Sequence, residues 1–203
     1  HPSLWVDNGS SRLEICEIAT YGGYMTNYIE TSRLILRDWQ GTDLLPFQQM
    51  NANREVRRYF LSLLSYRKSE LDMQRMQENI EREGIGLFAT MLKDSEEWIG
   101  FIGLNYTPVE SSYPFDDLPF YEIGWRLMPH VWNRGLATEG ATAVLDYAAN
   151  QGIPEVYAMT AEKNLASRKV MTHIGMTLDE QFELPELSKY HPLKRQVRYY
   201  KAI

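Results

Sequence analysis

Six consecutive residues, Trp132-Asn133-Arg134-Gly135-Leu136-Ala137, have types and spacing suited to holding an anion. A glycine and an alanine two positions apart let backbone N–H groups come close to a ligand. Before them, residues 121–128 (YEIGWRLM) read as a strand rich in β-branched and aromatic side chains, and Pro129 stops it. After them, from Thr138, the apolar residues Ala141, Val144, Leu145 and Ala148 recur at i, i+3, i+4 and i+7, the single apolar face of a helix. Asn133 is a candidate N-cap, and Gly152 stands where a C′ glycine belongs. A helix start carries unpaired N–H donors and a partial positive charge. A strand, a small-residue turn and a helix start together therefore suit a phosphate or pyrophosphate. The other reading is a plain corner whose glycine only solves a backbone problem. Neither familiar phosphate loop occurs: there is no GxxxxGK(S/T), and no GxGxxG after a strand.

The elements that must position this turn are legible in the hydrophobic patterning. Residues 33–37 alternate as a first strand, and Thr42-Asp43 can cap a helix running to about Ala52. Residues 54–64 are expected to continue helically. Residues 69–84 form a further helix, with Leu71, Met73, Met76 and Ile80 as an imperfect apolar stripe. Strands at 87–92 and 98–106 flank the polar run Lys93-Asp94-Ser95-Glu96-Glu97, which reads as a hairpin. A loop over 108–119 leads to the central strand. Beyond the central helix come a strand at 155–162, a helix at 164–174 ended by Gly175, and strands at 176–182 and 194–202. This order predicts a mixed α/β fold: a mostly antiparallel twisted sheet flanked by helices, with one parallel crossover joining strands 121–128 and 155–162.

Composition narrows the function classes. The chain has 203 residues, 44% apolar and 12% aromatic, enough to bury one core. A net charge of −6 argues against general nucleic-acid binding and mildly favours a cationic or amine ligand. No apolar run reaches the roughly 20 residues of a membrane helix. One cysteine, Cys16, excludes an internal disulfide framework and makes the cytoplasm the default compartment. Four scattered histidines offer no metal-ligand spacing. Residues 1–24 lack signal-peptide grammar and read as a vector-derived or extra leader, in which 12–19 could add an edge strand. Met25 reads as an initiator, with a single domain over 25–203.

The wording EIGWRL at 122–127, followed by WNRGLATE at 132–139, resembles the pyrophosphate-binding motif of the GNAT family of N-acetyltransferases. That motif usually begins with Gln or Arg; Trp132 replaces it here, as in the branch of ribosomal-protein N-terminal acetyltransferases. The resemblance runs from about Glu30 to the C-terminus. It implies the acyl-CoA N-acyltransferase fold, in which two central parallel strands splay apart and the pantetheine arm lies in the gap. It further implies acetyl-CoA as co-substrate, held by Asn133, Arg134, Gly135, Leu136, Ala137 and Thr138, with no metal. The acceptor is expected to be a peptide N-terminus or a small amine, and the protein a monomer or homodimer.

Acetyl transfer to an amine needs proton removal, a stabilised oxyanion and a donor for the departing thiolate. Alternation on the central strand puts Glu122, Gly124 and Arg126 on one face. The family often places a water-mediated base at the position of Glu122, and an apolar cleft would raise its pKa usefully. A glutamate paired with an arginine such as Arg126 is the other reading. The resemblance implies an oxyanion contact at the backbone N–H of Leu127. Many members carry a tyrosine seven residues after a helix-opening asparagine, but here Asn164 is followed at that distance by Met171. The resembled branch has NxxS, which Asn164-Leu165-Ala166-Ser167 matches. Asn164 then meets the pantetheine or caps its helix, and Ser167 meets the leaving sulfur or is an ordinary first-turn serine.

Elsewhere packing is the default. Trp98, Trp125 and Trp132 are core or cleft wall, Trp39 is a candidate for the acceptor side, and His130 and His173 are structural. Arg168 could meet a cofactor phosphate, with a solvated helix charge as the default reading. In the loop at 108–119, Tyr113 and Phe115 could wall a pocket and Asp116-Asp117 could attract an ammonium group; a solvated acidic loop is the other reading. The expected activity is direct transfer of an acetyl group to a primary amine through a ternary complex. A non-catalytic acyl-CoA-binding or regulatory module on the same fold is the alternative.

Overall fold

The computed structural model describes residues 25–203. The expectations for residues 1–24, Cys16 and the edge strand at 12–19 included, lie outside the described residues. Among the described residues eight strands form one sheet: β1 (Asn27–Glu30), β2 (Leu34–Arg37), β3 (Leu87–Leu92), β4 (Trp98–Thr107), β5 (Phe120–Leu127), β6 (Glu155–Ala161), β7 (Thr177–Glu183) and β8 (Arg195–Ala202). Their spatial order is β1-β2-β3-β4-β5-β6-β8-β7. Every neighbouring pair is antiparallel except β5 and β6. Flanking the sheet are the helices α1 (Leu44–Asn51), α2 (Tyr66–Glu83), α3 (Leu136–Asn150) and α4 (Leu165–His173). The expected mixed sheet with a parallel central pair is thus present.

Two elements differ from expectation. β1 is an additional strand ahead of β2, and its four residues carry too short an alternation to stand out in the sequence. Residues 54–64 are successive turns and bends, not a continuation of α1. Asn53 breaks the run by accepting the N–H groups of Glu55 and Val56 on its side-chain oxygen, a local competitor to helical bonding. The next helix begins only where Ser65 caps it, accepting from the Lys68 N–H.

The sheet face toward α3 is closed by Leu34, Leu36, Ile102, Leu104, Val144, Leu145 and Ala148, all buried. Gly140, in the middle of α3, makes the close approach possible, since a Cβ there would overlap the Ile102 side chain. On the opposite face Trp39, Phe47, Trp98 and Phe101 pack with ring centroids 5.0–6.4 Å apart. Trp39 is therefore core rather than acceptor wall. It is 4% exposed, and its indole N–H donates to the Leu87 carbonyl. A second, smaller aromatic cluster of Phe115, Phe120, Tyr157 and Phe182 lies beside β5 and β6.

Candidate active site

The site is organised by a defect in the sheet. β4 and β5 stay paired over eight positions, from Gly100↔Leu127 to Thr107↔Phe120, whereas β5 and β6 are paired only at Glu122↔Tyr157. Beyond Glu122 the two parallel strands part. Being parallel, they end on the same side, and there α3 follows β5 while α4 follows β6. Two helix starts thus face one gap, the usual ligand crevice of parallel strands.

The gap exposes backbone. Met128 N–H donates to the Ile99 carbonyl on β4 at 2.8 Å. By alternation the N–H and C=O of Leu127 point the other way, into the gap. The Leu127 carbonyl is taken by the Trp132 indole N–H at 2.9 Å. That bond folds the turn back onto β5 and gives the tryptophan at the head of the motif a positional role. The Leu127 N–H remains as a donor facing the gap.

The turn itself holds two left-handed residues, Asn133 at φ 61° and Gly135 at φ 75°. Gly135, not Asn133, is the N-cap of α3, and it supplies no side chain to the helix start. The correction has a simple cause. A left-handed Asn133 lies two residues before that cap, and it makes no side-chain bond to the helix start. Glu139 is the first residue whose N–H finds a helical carbonyl, that of Gly135 at 3.0 Å. The N–H groups of Leu136, Ala137 and Thr138 are left without a partner among the described residues, aligned with the positive end of the helix. Such a cradle fits a pyrophosphate.

Sequence reading missed what holds this turn. Arg33 donates from Nε to Glu139 and from Nη1 to the Arg134 carbonyl, both at 2.8 Å. Glu139 also accepts from Thr31 Oγ1 and from the Arg33 N–H. Burial opposes ionisation of Glu139, but these hydrogen bonds outweigh it and hold the carboxyl below its usual value.

Across the gap, Asn164 caps α4 by accepting the Ser167 N–H at 3.2 Å. Its amide nitrogen donates to Thr160 Oγ1 at 3.0 Å and to Ser167 Oγ at 3.2 Å. Both ends of the Asn164 amide are thus engaged in positioning. Ser167, accepting from Asn164, keeps its own hydroxyl proton to donate. Arg168 is not a solvated charge. It donates to the Tyr199 hydroxyl and the Glu162 carbonyl, fastening α4 to the sheet.

Glu122 is half-buried at the last paired position before the strands part. Burial raises its pKa to about 7, although a hydrogen bond from Thr107 Oγ1 at 3.3 Å acts in the opposite sense. It makes no ion pair among the described residues, so the alternative pairing with Arg126 does not occur. Tyr113 lies close enough for the Glu122 charge to add to the upward shift that burial imposes on its hydroxyl. The loop at 108–119 therefore borders Glu122. One member of its acidic pair does not act as expected, however. Asp117 is held by Arg198 of β8 through two bonds of 2.7 and 3.0 Å, so its charge is already neutralised. Arg198 is itself 4% exposed and lies 4.0 Å from the Phe115 ring centre.

His130 forms an exposed pair with Glu97, and His173 is exposed in the last turn of α4. Among the described residues no cluster of His, Cys, Asp or Glu could hold a metal, and no helix is long and apolar enough to cross a membrane.

A parallel pair that splays beside a helix start rich in free N–H groups, with an unpaired carboxylate at the fork, is the arrangement that the acetyltransferase resemblance implies. The family comparison agrees: residues 33–177 match the acetyltransferase (GNAT) domain, so the chain belongs to the GNAT family and is an N-acetyltransferase. It is 26% identical to the uncharacterized N-acetyltransferase YnaD of Bacillus subtilis over 157 residues, covering 77% of this chain and 86% of that one. Among solved structures, an acetyltransferase of Agrobacterium tumefaciens superposes with TM-score 0.68 at 25% identity, covering 85% of this chain and 92% of that one. RimL, a ribosomal L7/L12 α-N-protein acetyltransferase solved with coenzyme A, shares the fold with TM-score 0.71 at 16% identity, covering 88% of this chain and 98% of that one.

Proposed function

We propose that the protein transfers an acetyl group from acetyl-CoA directly to a primary amine, a peptide N-terminus or a small-molecule amine. The observation that carries this reading is Glu122: a carboxylate without an ion-pair partner among the described residues, with its pKa lifted to about 7, at the fork of β5 and β6. An alkyl ammonium group with pKa near 10 must lose a proton before it can attack. A base poised near neutrality accepts that proton efficiently, directly or through one water. The free N–H groups of Leu136, Ala137 and Thr138, with the Asn133-Arg134-Gly135 turn, would hold the coenzyme pyrophosphate. The Leu127 N–H faces the space where an oxyanion would develop. Ser167 would donate to the departing sulfur, with Asn164 orienting it. Asn164 is thereby a cap and positioning group first, and any contact with pantetheine would have to share its amide.

The non-catalytic alternative predicts a Glu122 tied up in a salt bridge, and the absence of one among the described residues speaks against it. The experiment is an acetyl-CoA turnover screen over peptide N-termini, polyamines, amino acids and aminoglycosides. Coenzyme A release with no acceptor in any of these classes would overturn the proposal.

A further inference from the structure

Four residues beyond Glu122, on the same face of β5, stands an arginine with no acidic partner among the described residues. Arg126 Nε is buried without any hydrogen-bond acceptor there, and Nη1 donates to Asn51 Oδ1 at 3.0 Å. A second guanidinium sits beside it. Arg57, in the turns between α1 and α2, lies 4.4 Å from the centre of the Phe60 ring, and Arg126 lies 4.8 Å from the same ring. Arg57 spends its Nε on the Ser62 carbonyl and makes no ion pair among the described residues. The neighbouring carboxylates are already committed: Asp72 to Lys68 at 2.8 Å and Arg75 at 3.8 Å, Glu70 to Arg67 at 3.2 Å.

Two like charges gathered on one ring repel, and burying an unpaired charge is costly. Burial, and next the Arg57 charge, pull the Arg126 pKa down to about 9, which still leaves it cationic at neutral pH. Asn51 holds the arrangement in place. Fully buried, it donates to Ser69 Oγ, accepts from Arg126, and its carbonyl receives the Leu64 N–H. An anion would satisfy both guanidinium groups, whose planar forks match carboxylate and phosphate oxygens.

We propose that Arg126 and Arg57 form an anion-binding subsite on the acceptor side of the cleft, so that the acceptor carries a carboxylate or phosphate besides its amine. This rests on the acetyltransferase reading and deepens it. The Cα atoms of Glu122 and Arg126 are about 13 Å apart at strand spacing. An elongated acceptor, with amine and anion several bonds apart, suits that separation.

The test is calorimetric titration of aminohexyl phosphate, aminohexanoate and hexylamine, with saturating coenzyme A present so that the cofactor's phosphate site is filled. At least one anionic amine should bind at least tenfold more tightly than hexylamine, and the two anionic probes distinguish phosphate from carboxylate. Arg126→Gln and Arg57→Gln should each remove most of that preference, whereas Arg82→Gln, an exposed cation on α2 paired with Glu83, should preserve it. Equal binding of all three amines, or a preference that survives both substitutions, overturns the subsite. If Arg126→Gln fails to fold by circular dichroism, Arg57→Gln alone decides. Acetylation rates for the same amines separate the two claims. Turnover without anion preference removes the subsite and keeps the acetyltransferase; Arg126-dependent binding without turnover does the reverse.

Discussion

Arg33 and Glu139, 106 residues apart in sequence, are joined at 2.8 Å, and the same guanidinium holds the Arg134 carbonyl at 2.8 Å. The pair fastens the Asn133-Arg134-Gly135 turn to the start of β2, so the turn is anchored from outside its own motif. Arg33 is substantially exposed, which limits the strength of the pair. Arg33→Ala should therefore weaken coenzyme A binding about three- to tenfold, roughly 1 kcal/mol, without changing the fold. Unaltered affinity by calorimetry would show that the turn keeps its shape without the clamp.

Gly135 tests the cradle directly. Its φ of 75° is a conformation that β-branched residues strongly avoid, while its Cβ would meet only Arg33 Nη2 at an ordinary 3.6 Å. Gly135→Val should thus act through the backbone, turning the N–H groups of the helix start away from their alignment. Coenzyme A affinity should fall more than tenfold, roughly 1.4 kcal/mol or more. A folded Gly135→Val protein with normal affinity would remove the pyrophosphate from this turn.

For Ser167 the expected signature is a split between turnover and binding. Its hydroxyl accepts from Asn164 and keeps its own proton to donate, and its backbone N–H is what Asn164 caps. Ser167→Ala leaves that cap intact. Turnover should fall modestly, by about three- to tenfold, on the scale of one lost hydrogen bond of about 1 kcal/mol. Coenzyme A affinity should hardly move. A greater loss of affinity than of turnover would reassign Ser167 to cofactor binding.

Glu122→Gln keeps the shape of the side chain and removes the base. Rates near neutral pH should fall by about 10²–10⁴ and recover in part at high pH, where more acceptor is already free amine. In the wild type, kcat/KM should rise as Glu122 ionises through about pH 7. Parallel pH profiles with a small constant offset would mean that Glu122 only supports the strand.

The same substitution makes an opposite prediction for stability. The folded-state pKa of about 7 lies above the ordinary 4.5, so between these values the folded protein binds more protons than the unfolded chain. Stability from this group is complete below pH 4.5 and is lost as pH rises through 7. Glutamine never ionises. Glu122→Gln should therefore unfold at higher urea than the wild type at pH 8, by up to about 3 kcal/mol, with the difference shrinking toward pH 4. Equal midpoints at pH 8 would mean that the carboxylate is well solvated.

Local pattern alone is enough for the strand, turn and helix around Gly135, the cap at Asn164 and the left-handed glycine at 152. Each depends on neighbours within a few residues: the apolar repeat of α3, an asparagine before a helix, a glycine after one. The mixed sheet is legible in the order of elements, because a helix between two strands demands a parallel crossover.

The tertiary structure decided the partners brought from far along the chain. Asp117, by its type a lure for ammonium, is instead neutralised by Arg198, 81 residues later. Arg126, a candidate partner of Glu122 by strand alternation, turns to Asn51, 75 residues earlier. Glu139 closes the motif at 132–139, but nothing in the sequence pairs it with Arg33. The turns at 54–64, helical by pattern, carry Arg57 and Phe60 to Arg126. A residue's type and spacing determine what it can donate or accept. Which of those possibilities is used depends on the charge that the fold packs against it, and that pairing has no period along the chain.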